Sequence, residues 1–155
     1  MKKYFLLLLL ASAVHSQTIS PLTNECSNKC SGSFSIANNG LRPLNVVLEK
    51  HGFDVAKDGQ VRLTPLPAGI EIQLGATSIV IPTQGTHTFF YKAVCAQPPC
   101  HAEILALLSS GERTNEGLKL TLALPHILYV CEKKKDCRLR TLRSLGYDPT
   151  LQARK

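Results

Sequence analysis

Histidine and cysteine are the residues of this 155-residue chain best suited to catalysis or metal binding. Four histidines lie beyond residue 16: His51, His87, His101 and His126. None belongs to a His-x-x-x-His or His-Glu-x-x-His pattern, which would place two metal ligands on one helix face. The sequence also lacks the Gly-x-Ser-x-Gly nucleophile motif and a Gly-rich phosphate loop. These observations predict a protein that is not an enzyme and that uses no metal or cofactor.

The six cysteines lie close together in pairs along the sequence. The pairs are Cys26 with Cys30, Cys95 with Cys100, and Cys131 with Cys137. Many connectivities are possible, and pairing within each local pair is the simplest of them. The alternatives are a metal site around Cys100-His101 and redox chemistry, but no Cys-x-x-Cys spacing is present. We expect three disulfides that act as clips at turns and strand ends.

Residues 1–16 have the pattern of a secretory signal peptide. Lys2 and Lys3 precede an apolar run over residues 5–14, and small residues follow at the expected cleavage site. The run is too short to cross about 30 Å of hydrocarbon as a helix, and no later stretch is long and apolar enough. We therefore expect a mature protein from Gln17 that is periplasmic or secreted, and the Lys-Lys start is typical of bacteria.

The excess positive charge of the chain is concentrated at its C-terminal end. Residues 17–130 contain eight basic and eight acidic residues, whereas residues 131–155 contain eight basic and three acidic. We interpret residues 132–155 as a basic tail, which is either a solvated extension or a contact for an anionic envelope surface such as lipid headgroups or polysaccharide. Nucleic acid is not an expected partner. The centre of the basic charge consists of Lys133, Lys134, Lys135, Arg138, Arg140 and Arg143.

Residues 17–131 read as one all-β domain of about seven short strands. Period-two alternation is common in this region, and turn signals such as Asn38-Asn39-Gly40 separate the alternating segments. We expect His51-Gly52 to end one strand and a short helix to cover Arg138–Leu145. Frequent turns and short strands favour a two-sheet Greek-key sandwich. The predicted core comprises Phe34, Val46, Leu48, Ile72, Ile79, Ile81, Phe89, Tyr91, Ile104, Leu120 and Leu122.

The last predicted strand, Leu118–Val130, has a strongly apolar face. Its alternate positions carry leucines and one histidine, while Lys119 and Thr121 lie on the other face. Pro125 cannot donate to a ladder, so this part of the strand is expected to be an edge or a bulge. An apolar edge can be covered by a partner strand, and the alternative is an ordinary core strand with one solvated face.

The order of these segments resembles PapD-like immunoglobulin domains, in particular the N-terminal domain of periplasmic pilus chaperones. It is also similar to major-sperm-protein and ASH-type domains. The resemblance covers about residues 18–131, and it lies in the order of segments and not in one specific motif. The segments that carry it are Ile19-Ser20-Pro21, Gly32–Gly40, Pro43–Glu49, Ser78–Gly85, Thr88–Ala93, Ala102–Leu108 and Leu118–Val130.

The resemblance implies a seven-stranded PapD-like sandwich that binds an unfinished pilin-like subunit, or another surface protein, through its last strand. The family's final-strand Lys, which holds the subunit's terminal carboxylate, corresponds here to His126. No basic residue between Thr18 and Thr23 corresponds to the family's first-strand Arg. The alternative function is a structural envelope protein whose basic tail binds an anionic surface. The partner-strand residues implied are Leu118, Leu120, Leu122, Leu124, His126 and Leu128.

Overall fold

The computed structural model describes residues 17–27, 29–56, 58–110, 121–133 and 137–146. The predicted signal peptide lies outside these ranges. The described residues form ten β-strands and one α-helix. The strands, numbered β1 to β10, are Gln17–Ser20, Thr23–Ser27, Lys29–Asn38, Leu44–Val55, Val61–Thr64, Ile70–Leu74, Ser78–Ile81, Thr86–Cys95, Cys100–Ser110 and Leu122–Cys131, and helix α1 is Cys137–Ser144.

Two β-sheets pack face to face. One has four strands in the order β1-β3-β8-β6, and the other has the order β2-β10-β9-β4-β5, with β7 also paired to β4. Pairing is antiparallel except between β2 and β10, which run parallel. The all-β sandwich predicted from the sequence is therefore confirmed.

The core lies between the two sheets and is built from alternate residues of most strands. Ile36 on β3, Ile72 on β6 and Phe89 on β8 are almost completely buried, as period-two alternation requires. Most predicted core residues are buried, and Ile79 is partly buried. Leu122 was expected in the core and is instead 46% exposed, because it begins β10 at the end of the sandwich. Leu120 lies outside the described residues.

The described chain contains more than the seven predicted strands. The strands β1 and β2 were not predicted, because Gln17–Ser27 shows little alternation, and the chain passes from one sheet to the other at Pro21. The predicted break at His51-Gly52 is wrong. Strand β4 continues to Val55, because β5 pairs with Gly52–Val55. Tertiary pairing therefore overrides the local turn signal.

Three disulfides join the local cysteine pairs, as predicted: Cys26–Cys30, Cys95–Cys100 and Cys131–Cys137. The last of these attaches α1 to the end of β10. The predicted short helix is also confirmed, and the chain leaves it at Gly146, whose φ of 80° is readily adopted by glycine. No helix in the described ranges has the length and apolar character needed to cross a membrane.

Candidate partner-binding edge

Strand β10 has different neighbours in its two halves. From Ile127 onward it lies between β9 and β2. From Leu122 to His126 its only paired strand in the described part of the chain is β9. We call Leu122–His126 the open edge. An exposed strand edge offers backbone N–H and C=O groups to which an extended segment of another chain can add a strand.

The open edge is uncharged and partly exposed. Leu122 and Ala123 are exposed, while Leu124 and Pro125 are half-buried. Leu124 also packs against the main core. No Asp, Glu, Lys or Arg occurs between Thr121 and Cys131, although charged side chains commonly protect natural edge strands from pairing. The open edge therefore lacks charged protection, and Pro125 within it offers a partner strand a carbonyl oxygen but no N–H.

Two residues implied as partner-binding do not point outward. His126 and Leu128 are fully buried in the sandwich, with no exposed surface. The alternation predicted from the sequence is correct, but the face that carries these side chains is turned to the core. A partner strand cannot reach them while the sandwich is closed, so neither is retained as a binding residue. Leu118 and Leu120 lie outside the described residues, whereas Leu122 and Leu124 remain predictions.

His126 belongs to a buried chain of hydrogen bonds. Its Nδ1 lies 2.7 Å from the carbonyl oxygen of Pro21, and its Nε2 lies 3.1 Å from the Tyr91 hydroxyl. The amide nitrogen of Asn24 donates to the same hydroxyl at 2.7 Å. The imidazole also stacks on Phe34, with ring centroids 4.7 Å apart. Because both ring nitrogens have partners inside the protein, His126 is not placed to hold a carboxylate of another chain.

The hydrogen-bond partners determine the protonation of this buried chain. A carbonyl oxygen only accepts, so Nδ1 of His126 carries the proton and donates to Pro21. In the neutral ring Nε2 is then the acceptor, and the Tyr91 hydroxyl donates to it. Burial lowers the pKa of His126, and the hydrogen bond to Pro21 opposes this only in part. Burial likewise raises the pKa of Tyr91, so both side chains are neutral.

Gly32 makes room for this hydrogen-bonded group. It lies on β3 opposite Tyr91 of β8. A Cβ atom at residue 32 would lie 2.6 Å from Cζ of Tyr91 and 2.8 Å from Nδ2 of Asn24, and it would overlap the Tyr91 hydroxyl. The absence of a side chain at Gly32 is therefore a condition for the Asn24–Tyr91 hydrogen bond.

The basic residues of the predicted tail are partly described. Arg138, Arg140 and Arg143 lie exposed on α1. The first of these donates its backbone N–H to Glu25 Oε2 at 3.4 Å, and its side chain hydrogen-bonds Tyr129. The guanidinium of Arg140 donates to the carbonyl oxygen of Lys133 at 2.8 Å. Helix α1 is therefore fixed to the sandwich with its arginines outside, while Lys134 and Lys135 lie outside the described residues.

The other three histidines are found in local contacts. His51 lies 2.9 Å from a carboxylate oxygen of Glu49, His87 packs edge-on against Phe89, and His101 donates to the carbonyl oxygen of Phe53 at 2.8 Å. Within the described residues there is no group of three or more His, Cys, Asp or Glu side chains arranged to hold a metal ion.

Sequence reasoning missed Pro21 as a partner of His126 and Asn24 as a partner of Tyr91. These residues lie in Gln17–Ser27, where no alternation predicted a strand, and the contact spans 105 residues of sequence between Pro21 and His126. The available signal was His126 itself, a polar residue on an otherwise apolar face of β10. It indicates a buried polar partner without identifying that partner.

Comparison with known proteins identifies the fold. No protein-family model and no curated protein sequence matches the chain. A chain in the complex of Salmonella enterica SafA pilin with the SafB chaperone matches with a TM-score of 0.52 at 12% identity, over 78% of this chain and 56% of that one. The class 5 fimbriae chaperone CfaA matches with a TM-score of 0.51 at 8% identity, over 74% and 55%. This chain thus spans about half the length of either.

The ASH/PapD-like domain of human CEP192 also matches, with a TM-score of 0.46 at 12% identity, over 76% of this chain and 85% of that domain. The sandwich is a PapD-like immunoglobulin-fold domain, as the order of segments predicted. At these identities the similarity concerns the fold. The structures just named are chaperone-related or PapD-like domains and not enzymes.

Proposed function

We propose that this protein is a secreted or periplasmic binding domain that captures a protein partner by pairing an extended strand with the open edge Leu122–His126. The observation that carries the proposal is the change of neighbours along β10: within the part of the chain that the structure describes, this uncharged half is paired on one side only. The partner is a β-rich surface protein or pilin-like subunit, and the mode is strand addition. Three disulfides in a small domain support an oxidising compartment.

A photo-crosslinking residue at position 122 tests this proposal, with a matched probe at Val47. Both side chains are 46% exposed, but Val47 lies on β4 between β7 and β9 and has no open edge. In the native host, a partner captured by strand addition should crosslink from position 122 and not from position 47. The purified complex should then show slowed amide exchange in residues 121–126. Equal crosslinking from both positions, or protection elsewhere, would contradict the proposal.

The complementary variant introduces a charge at position 122. Leu122→Lys puts a long cation at the open edge and should reduce capture at least tenfold, since Lys is a common edge-blocking residue. Val47→Lys is the control at equal exposure and should bind normally. Thermal unfolding of both variants establishes that the sandwich is intact, so a loss of capture with normal stability assigns the effect to the edge.

A second candidate function rests on the exposed arginines of α1. These side chains form a basic surface that the Cys131–Cys137 disulfide fixes to the domain. The corresponding proposal is adsorption to anionic lipid headgroups or polysaccharide. Reversal of Arg138, Arg140 and Arg143 to Glu should abolish sedimentation with phosphatidylglycerol vesicles, and salt should weaken that of the parent protein. Binding that is insensitive to both changes would contradict it.

A further inference from the structure

The crossing from β1 to β2 is held to the rest of the sandwich by the buried chain of hydrogen bonds around His126. We propose that this chain is a proton-operated latch: protonation of His126 frees Pro21–Glu25 from β10 and extends the open edge from Leu122–His126 to Tyr129. The latch would regulate the strand-pairing site, so its biological role rests on the proposed function. The opening itself is a property of the isolated protein.

The hydrogen-bond directions of the closed state favour a neutral imidazole. In the closed state Asn24 donates to the Tyr91 hydroxyl, this hydroxyl donates to Nε2 of His126, and Nδ1 donates to Pro21. A second ring proton makes Nε2 a donor as well. The Tyr91 hydroxyl, which already accepts from Asn24, must then also accept from Nε2, and its own proton loses its acceptor. Protonation therefore leaves a donor of this buried chain without a partner.

Among the described residues that contact the ring, none carries a negative charge. The ring is fully buried and stacks on Phe34 of β3. Strand β8 contributes Tyr91, the titratable group that contacts the ring in the described structure, while β2 contributes the neutral Asn24. Neither Asp nor Glu is among the influences on the pKa of His126, which are burial and the Pro21 carbonyl. An imidazolium here has no counter-ion among the described residues, so opening to water would restore its solvation.

Strand β2 is the segment that opens, because its pairing with the rest of the sandwich is weak. Strand β2 is five residues long and pairs with β10 alone, and its first backbone bond there joins Ile127 N–H to the Leu22 carbonyl. The opposite side of β10 carries the much longer pairing with β9. The Cys26–Cys30 disulfide keeps the far end of β2 attached to β3. Opening therefore stops near Glu25, and the segment can reclose without leaving the domain.

Hydrogen–deuterium exchange of the full chain at pH 7.4 and pH 5.5, corrected for intrinsic exchange, tests the latch. Acidification should lower protection in Pro21–Glu25 and Ile127–Tyr129 by about tenfold or more. These segments should also exchange faster than β9 at pH 5.5. If β2 exchanges no faster than β9, the domain opens as one unit and the latch does not exist.

His126→Gln removes the titrating group and should abolish the loss of exchange protection that acidification causes in β2. We call this loss the acid response of β2. The comparison variant His101→Gln removes a half-buried histidine, which donates to Phe53, and should keep that response. An acid response that persists in His126→Gln overturns the proposal. If that variant does not fold, NMR titration of the wild type decides, because the His126 ring and the Asn24 amide must then titrate with one midpoint below 6.5.

The latch and the proposed function can each be rejected by experiment independently of the other. Exchange is measured without any partner, so an acid-opened β2 stands even if crosslinking from position 122 finds nothing. Conversely, capture at the open edge with an acid-insensitive β2 supports the binding function and eliminates its regulation. If both hold, crosslinking from a probe at Ile127, which pairs with Thr23 when β2 is closed, should appear at pH 5.5 and not at pH 7.4.

Discussion

The Tyr91 hydroxyl of β8 accepts a hydrogen bond from Nδ2 of Asn24 on β2 at 2.7 Å, so one pair of side chains connects the two sheets. The same hydroxyl is bonded to His126 on β10. The Tyr91 side chain thus lies where β8 of one sheet meets β2 and β10 of the other. Because buried polar groups are costly to leave without partners, the closed sandwich depends on this hydroxyl more than on a typical surface hydrogen bond.

Tyr91→Phe should lower the free energy of unfolding by about 1–3 kcal/mol, because Nε2 of His126 stays buried and loses its donor. Urea denaturation at pH 7.4 measures the change. Ser35→Ala, which removes the hydroxyl–hydroxyl bond between Ser35 and Thr88 at 2.8 Å, is the control and should cost less because that pair is only partly buried. If Tyr91→Phe and Ser35→Ala lowered the free energy of unfolding equally, the Tyr91 hydroxyl would not contribute more than an ordinary, partly buried one.

The sequence predicts the sandwich well because alternation is strong where strands are long. Phe34, Ile72 and Phe89 are core residues whose neighbours alternate with them, so their burial follows from the pleat. Gln17–Ser27 has no such pattern, and its two strands form only because β3 and β10 offer edges to pair with. Local sequence contains no information about those distant edges, and β1 and β2 were therefore missed.

The candidate site was predicted in part, for a related reason. Alternation gives two faces of β10 but does not say which of them another sheet covers. His126 was placed on a binding face, yet that face meets Phe34 and Tyr91. Leu122 was placed both in the core and at the binding strand, and it is exposed because it lies at the end of β10, beyond the well-covered part of the sandwich. Which face of β10 is buried depends on where the other sheet packs, and this is determined only in the folded chain.

Stability should decrease when the solution is acidified through the range in which His126 titrates. Its pKa in the folded protein is below the ordinary 6.5, so the unfolded chain binds the proton first as pH falls. The stabilisation is complete above about pH 6.5 and is lost as pH falls from there through the lower folded pKa. Denaturant midpoints measured from pH 8 to pH 5 should therefore fall in the wild type.

The difference between the wild type and His126→Gln isolates this contribution, because all other titrating groups are common to both proteins. That difference should shrink as pH falls, and the wild-type advantage should be largest above pH 6.5. A difference that is constant between pH 8 and pH 5 would show that His126 titrates alike in the folded and unfolded states.

Gly32→Ala should destabilise the domain by about 1–3 kcal/mol, since the added methyl group overlaps Tyr91 and forces a rearrangement of a packed site. The same substitution at Gly69 is the control, because a Cβ there meets no atom within 4 Å. Gly69→Ala should be neutral or slightly stabilising. The comparison is made by thermal and urea unfolding, and similar losses at both positions would argue against a steric role for Gly32.

Asn38→Asp should be more destabilising than its small change in shape suggests. The side-chain nitrogen of Asn38 is buried and donates to three carbonyl oxygens, those of Arg42, Ile81 and Pro82, at 2.8, 3.3 and 3.0 Å. A carboxylate oxygen there faces acceptors only, so we expect a loss of about 2 kcal/mol or more at pH 7.

This loss should become smaller in acid. Apposed carbonyl oxygens disfavour the carboxylate, so the aspartic acid has a raised folded pKa, and a protonated carboxyl group can donate again. Stability of Asn38→Asp relative to wild type should therefore rise as pH falls through that raised pKa, which is the reverse of the His126 effect. Asn45→Asp, at an exposed position of β4, is the control and should change stability by less than about 0.5 kcal/mol at any pH. A pH-independent loss at position 38 would show that the carbonyl oxygens do not face the new carboxyl group.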